Sequence, residues 1–241
     1  MSTPASLLVR AVSKTYETTT ALGRVDLIVN PREFVSVIGP NASGKSTLLK
    51  IVAGVRMPSA GSVELAGTAA YMPQEHALLP WRTVEENLLL PSDIKGEPRA
   101  EARNKARQLL AEFALDQYAD AYPAALSGGT RQKIALLRTV LQEPSLLLLD
   151  EPFAPLDALT RTEAQMWLLT LLEKTSASVL LVTHDIREAI LLSDSVYILG
   201  TGRIREKFSV PLSRPRSHEQ LRTSEALELE QRLFSLLAPN L

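Results

Sequence analysis

Residues 34–38, Phe-Val-Ser-Val-Ile, form an apolar run that leads directly into Gly39-Pro40-Asn41-Ala42-Ser43-Gly44-Lys45-Ser46-Thr47, and a helical pattern follows from Leu48 to Gly54. A buried strand that ends in a glycine-bearing bend and continues as a helix is half of a parallel α/β unit. This feature therefore restricts the fold before any other residue is considered. It restricts the chemistry as well. Glycines 39 and 44 let the backbone curl until successive N–H groups point inward, an arrangement that suits phosphate oxygens. The helix opening near Gly44 adds the positive end of its dipole. Lys45 supplies a mobile cation for β- and γ-phosphates, and the Ser46 hydroxyl is a candidate ligand for Mg²⁺. The competing reading is a glycine turn ahead of a purely structural helix; the strand–loop–helix setting disfavours it.

The rest of the pattern extends the α/β reading. Residues 7–12 and 25–29 read as early strands joined by a polar, Thr-rich turn, and 62–65 and 69–72 as two more short strands. Four consecutive leucines at 146–149 leave no polar face, as in a strand covered on both sides. Another strand is expected at 179–183, followed by a helix at 186–192. From 83 to about 140 the texture is helical, with a polar break at 91–98 and a charged, Ala-rich helix at 99–113. The expected organisation is a single unit. Its α/β core with a β subdomain comprises 1–82 and 141–210, a helical subdomain is inserted at 83–140, and 211–241 is a short tail with an amphipathic end at 225–237.

Composition closes off other classes. The 241 residues carry 26 Lys+Arg against 27 Asp+Glu, a formal charge of −1, so no basic field spreads over the surface and no nucleic-acid partner is expected. With no cysteine, disulfide scaffolds, thiolate metal sites and thiol nucleophiles are excluded. No apolar run approaches the ~18 residues that span a bilayer. The N-terminal MSTPASLLVR has no basic segment ahead of its apolar stretch, unlike a signal peptide. The expected place of work is the cytosol or a surface facing it.

Asp150 ends the four-leucine strand and Glu151 follows it. Ligands of open α/β sheets bind at the carboxyl ends of the strands. One carboxylate there can hold Mg²⁺ and a second can polarise an attacking water. Asp150 is assigned to the metal and Glu151 to the general base. The alternative, taken without the glycine bend, is an acid pair that merely faces solvent.

A further run, Leu126-Ser127-Gly128-Gly129-Thr130-Arg131-Gln132, has Ser127 placed 23 residues before Asp150 (150 − 127). Ser127 can cap the next helix, and Gly128 and Gly129 expose N–H groups at its start, making a second anion site. With this run the sequence resembles the ATP-binding-cassette (ABC) ATPases over almost the whole chain. The resemblance implies a P-loop NTPase fold with a RecA-like, mostly parallel sheet, an antiparallel β subdomain and an inserted helical subdomain. It also implies ATP and Mg²⁺ as ligands, and two copies facing head to tail with two ATP molecules between them. In that arrangement Ser127, Gly128 and Gly129 serve the nucleotide held by the partner's bend at 39–47. The resemblance further makes Gln74 a loop glutamine that senses Mg²⁺ and the γ-phosphate, His184 a switch histidine on the γ-phosphate and Tyr16 a ring stacked on adenine. Asp157 matches a loop that communicates across the dimer. His76 and His218 are read as structural. Two residues depart from the family pattern: Thr130 stands where Gln is commonest, and Ala42 where most members have Gly. If the bend needs a left-handed residue at 42, alanine costs roughly 1–2 kcal/mol there.

Within the family, the similarity is to ATPase subunits of importers for nitrate, sulfonate, taurine and related solutes. It is carried by Met72-Pro73-Gln74, Leu79-Pro80-Trp81-Arg82-Thr83-Val84, Glu86-Asn87, then Leu149-Asp150-Glu151-Pro152-Phe153, Leu156-Asp157 and Thr160-Arg161, and Ser213-Arg214-Pro215-Arg216. The partners implied are a second copy, a membrane permease and, indirectly, a solute-binding protein, with the chain peripheral on the cytoplasmic face of the inner membrane. Leu78, Leu79 and Trp81 form an apolar cluster that suits a groove receiving a permease helix, or else ordinary core between the subdomains. An exporter ATPase, a nucleotide-binding regulator without turnover (disfavoured by intact Asp150 and Glu151) and a soluble ABC protein acting on DNA or ribosomes are the rival readings. The latter usually carry long coiled coils or two cassettes, and this chain has neither.

Overall fold

A computed structural model describes residues 6–75 and 77–237. Residues 1–5, His76 and 238–241 lie outside the described residues, and with them the structural reading of that histidine and the ends of the expected N-terminal and tail segments. Among the described residues, strands β1 (Leu7–Tyr16), β2 (Thr19–Val29), β3 (Phe34–Ile38), β4 (Ala60–Leu65), β5 (Ala69–Met72), β6 (Leu146–Asp150), β7 (Ser178–Thr183), β8 (Ser195–Leu199) and β9 (Ile204–Ser209) form two sheets. The larger runs β5-β6-β7-β3-β8-β9 and is parallel except for β9. The smaller is antiparallel, in the order β2-β1-β4. Helices are α1 (Lys45–Val52), α2 (Val84–Lys95), α3 (Arg99–Glu112), α4 (Gly128–Val140), α5 (Ala158–Glu173), α6 (Ile186–Leu192) and α7 (Ser224–Leu237).

The four leucines of β6 show how the layers close. Leu147 and Leu149 point into one core with Leu88, Leu110, Leu137 and Leu168, whereas Leu146 and Leu148 point into another with Leu48, Leu22 and Leu27. A period of two thus feeds two cores, which is why the strand reads as continuously apolar. The helical segment covers the first face; α1 and the small sheet cover the second. A third cluster packs Ala226, Leu229 and Leu233 of α7 against Ile190, Val196 and Ile198, so the amphipathic tail lies on its own domain.

Three segments differ from the sequence reading. The early strands run to 7–16 and 19–29, with only Glu17 and Thr18 between them. The polar residues near this hairpin tip are exposed and place no demand on a core, so Tyr16 ends a strand instead of sitting in a loop. Helix α2 continues through Pro91 to Lys95, where a polar break was expected. Pro91 loses a single ladder bond, and a Thr83–Glu86 capping box, the buried face of Val84, Leu88 and Leu89, and a left-handed Gly96 cap hold the helix. The sequence reading also left out α5, β8 and β9.

The tail is fastened beside β3. Arg214 Nη2 lies 2.6 Å from Asp194 Oδ2 and Arg216 Nη2 2.8 Å from Asp194 Oδ1, while Phe34 N–H donates to Asp194 Oδ2 at 2.8 Å.

Candidate active site

The carboxyl ends of β6, β7 and β3 are neighbours in the sheet. They open onto a cavity of about 560 Å³ lined by residues 41–47, Gln74, Glu151 and His184. The structure thus brings together Asn41, Ala42, Ser43, Gly44, Lys45, Ser46, Thr47, Gln74, Glu151 and His184. Gly39 and Pro40 lie beneath this wall, where their carbonyls accept from Lys45 Nζ at 2.9 and 3.0 Å. Tyr16, Ser127, Gly128 and Gly129 do not line it.

The bend is held by backbone conformation. Gly44, the N-cap of α1, has φ 100°, and a Cβ there would lie 2.4 Å from Ala21 O. Ala42 sits at φ 61°, so the departure noted in the sequence falls at a left-handed position. Ser43 Oγ is buried without a hydrogen-bond partner among the described residues. A bend with an orphaned hydroxyl and no room for a Cβ at its second glycine fits phosphate oxygens. Replacing Ala42 by Gly relieves about 1–2 kcal/mol of left-handed strain against roughly 0.5–1 kcal/mol of added chain entropy. A thermal midpoint higher by a few degrees at most is expected in calorimetry. An unchanged or lower midpoint shows that Ala42 carries no net strain.

Lys45 is 4% exposed, and its ammonium is held below its ordinary pKa by burial, partly offset by Glu151 and Asp150. Glu151 has φ 45°, and its N–H donates to Val182 O at 2.8 Å. From this strained position, of a kind that clusters at functional sites, the carboxylate places Oε1 3.9 Å from Lys45 Nζ and Oε2 3.1 Å from His184 Nδ1. Asp150 is buried behind the wall. Its Oδ1 accepts from Ser46 Oγ at 2.8 Å and its Oδ2 from the Tyr71 hydroxyl at 3.0 Å. Burial holds the Asp150 carboxyl above the usual range despite these two donors. Burial and Asp150 together raise the Tyr71 phenol far above its ordinary value.

The sequence reading missed Tyr71. Its signal lies in register: Tyr71 pairs with Leu148, two residues before Asp150 on the same face, so the ring reaches the carboxylate diagonally.

The Ser127 turn, expected as a second anion site, stands at the start of α4. Ser127 Oγ accepts from Thr130 N–H at 3.2 Å and lies 2.9 Å from Thr130 Oγ1, so threonine at 130 joins the cap. Gly129 is needed for close approach, since a Cβ there would fall 2.6 Å from Thr160 Cγ2. Asp157 caps α5 through the N–H groups of Leu159 and Thr160. The starts of α4 and α5 therefore lean on each other. Tyr16 is 39% exposed with Lys14 Nζ 5.2 Å from its ring centroid. The apolar cluster divides: Leu78 packs against the core, whereas Trp81 is 70% exposed.

The ABC transporter family profile matches residues 22–154, more than half of the chain. The chain belongs to the ABC transporter family. All the cavity-lining residues of this ABC transporter chain except Ala21 and His184 fall within the matched segment. Among similar proteins is the aliphatic sulfonates import ATP-binding protein SsuB 3 of Nocardia farcinica. It is 43% identical over 216 residues, covering 90% of this chain and 85% of that protein. SsuB of Escherichia coli K12 is 42% identical over 233 residues, covering 93% and 88%. The ATP-binding cassette MJ0796, in a dimeric post-hydrolysis state bound to ADP and Pi, superposes with a TM-score of 0.76 at 28% identity. That match covers 86% of this chain and all of that one. The parallel sheet with its antiparallel companion is accordingly an ABC cassette, as the sequence implied.

Proposed function

We propose that this chain is the ATP-hydrolysing subunit of an importer for a small solute of the nitrate, sulfonate or taurine kind, working through a separate membrane permease. The observation that carries the reading is one cavity lined by Lys45, Ser46 and the Glu151–His184 pair, with Asp150 bonded to Ser46 behind its wall, at the edge of three adjacent strands. Relatives named as sulfonate import ATP-binding proteins support the solute class.

The bend at 39–47 cradles the phosphates through its backbone N–H groups, Pro40 excepted, Lys45 leaves its carbonyl partners for the β- and γ-oxygens, and Tyr16 stacks on adenine. The Ser46 hydroxyl, the Asp150 carboxylate and the Gln74 amide are hard oxygen donors that suit Mg²⁺, an ion that usually keeps water and substrate phosphate in its shell. An ion held by these donors would supply positive charge that offsets the charge on the phosphate oxygens. Glu151 accepts the proton of the water that attacks the γ-phosphorus in line, the bond to the ADP oxygen breaks, and His184 positions Glu151 and the γ-phosphate. A second copy, head to tail, supplies Ser127, Gly128 and Gly129 to the same nucleotide. The segment 83–140 acts as the inserted helical unit, and the exposed Trp81 belongs to the surface that receives the permease. The chain would sit peripherally on the cytoplasmic face of the inner membrane; no helix of the described residues is long and apolar enough to cross one.

The test uses a hydrolysis-deficient chain expressed with its neighbouring reading frames. Light scattering in saturating ATP and Mg²⁺ is expected to show a dimer that reverts to monomer without nucleotide, and a polytopic membrane protein is expected to co-purify in detergent. A chain that stays monomeric with its permease present, or that co-purifies with ribosomal or DNA-repair proteins, overturns the reading.

A further inference from the structure

We infer that Tyr71 is a positioning residue for the metal: its hydroxyl fixes the Asp150 carboxylate in the orientation that receives Mg²⁺, and so sets metal affinity while leaving ATP affinity alone. This rests on the reading of Asp150 as the metal carboxylate. Asp150 is 2% exposed, and a carboxylate buried that deeply needs donors on both oxygens. Ser46 serves Oδ1 at 2.8 Å and Tyr71 serves Oδ2 at 3.0 Å. The two donors are not equivalent. Ser46 lies on α1 inside the phosphate bend and is itself proposed to turn to the metal, which takes its hydroxyl proton away from Oδ1. Tyr71 stands outside that exchange. It projects from β5, bonded in parallel to β6, and pairs with Leu148 on the face that carries Asp150. Its ring packs against the core cluster containing Leu48, Leu146 and Leu148. A rigid strand therefore keeps Oδ2 occupied and leaves Oδ1 facing Ser46 and the site.

Tyr71 also precedes Gln74 by three residues. The same hydrogen bond thus ties the strand that delivers the proposed glutamine ligand to the carboxylate. Without the hydroxyl, Oδ2 is left buried and unpaired, and the carboxylate can satisfy it by rotating toward Ser46 and away from the metal.

The test compares Tyr71→Phe with Asp150→Asn in the full chain. Mn²⁺ binding in the presence of a non-hydrolysable ATP analogue is read by electron paramagnetic resonance, affinity for a fluorescent ATP analogue is measured in EDTA, and thermal unfolding serves as a folding check. For Tyr71→Phe, which keeps the ring, the Mn²⁺ dissociation constant is expected to rise about tenfold or more. Analogue affinity in EDTA should stay within about twofold, and the unfolding midpoint should fall by no more than a few degrees, as one unpaired buried acceptor costs. If Asp150→Asn loses Mn²⁺ and Tyr71→Phe binds it like wild type, the inference falls while the reading of Asp150 stands. If Asp150→Asn retains wild-type Mn²⁺ affinity, that reading falls and takes the inference with it. A Tyr71→Phe chain that loses Mn²⁺ and EDTA-state nucleotide affinity in parallel, with a lowered midpoint, has a structural tyrosine, and this too overturns the inference.

Discussion

Glu151→Gln is expected to lower ATP turnover by about 10²- to 10⁴-fold and to leave ATP affinity near that of wild type. The substitution is isosteric, and the amide keeps an oxygen for the Glu151–His184 contact, seen at 3.1 Å. What it removes is the basicity that, in the proposed mechanism, takes a proton from water, together with the negative charge 3.9 Å from Lys45. The backbone is unaffected in kind, because the left-handed φ of 45° is fixed by the chain around it and by the bond from Glu151 N–H to Val182 O. In the proposed mechanism, binding depends on the bend at 39–47, on Lys45 and on Ser46, none of which changes. Phosphate release by the permease-bound protein and titration with a fluorescent ATP analogue check the two halves separately. Turnover within tenfold of wild type excludes Glu151 as the general base.

Arg216→Met is expected to destabilise the fold by about 2–3 kcal/mol and to lower the thermal midpoint by roughly 5–10 °C. Arg216 is 6% exposed. Its guanidinium donates to Leu192 O at 2.9 Å and to Asp194 Oδ1 at 2.8 Å. Methionine fills the space but leaves the Leu192 carbonyl without its side-chain donor and Asp194 Oδ1 with Arg214 Nε alone, at 3.2 Å. Arg214 binds the same carboxylate, yet its side chain is 56% exposed, so solvent screens the pair and Arg214→Met should cost no more than about 1 kcal/mol. The contrast separates burial from charge count, and chemical denaturation of both variants measures it; equal losses refute the distinction.

The same aspartate sets a pH response. Burial raises the Asp194 carboxyl, but the Phe34 N–H and the two arginines outweigh it, and the net position is below the usual carboxylate range. A carboxylate whose folded pKa lies below its unfolded value contributes stability above the unfolded value, near pH 4, and loses it as pH falls through the folded one. Removing Arg216 raises the folded pKa and narrows that window. The acid-unfolding midpoint of Arg216→Met, followed by circular dichroism, should therefore move to higher pH.

Local order along the chain determined a great deal. The apolar run into Gly39–Thr47, the leucine strand ending in Asp150 and Glu151, the Ser127 turn and the strand before His184 are each a strand or helix terminus defined by residues within a few positions. Backbone conformation and capping are decided at that range, so the α/β class and the residues gathered around the cavity were legible. Tertiary structure alone decided the rest. Tyr71 and Asp150 are 79 residues apart and Arg216 and Asp194 are 22 apart; their contacts follow from which strand lies beside which and in what register, and no spacing rule states that. The helix that survives Pro91 and the tyrosine carried to the end of β1 depend likewise on what the neighbouring elements bury or leave to solvent. Gly129 is constrained by the approach of Thr160, and Ala42 takes a left-handed φ because the whole bend closes around it. A sequence records what each residue prefers by itself, whereas burial and long-range pairing set which of those preferences are overruled.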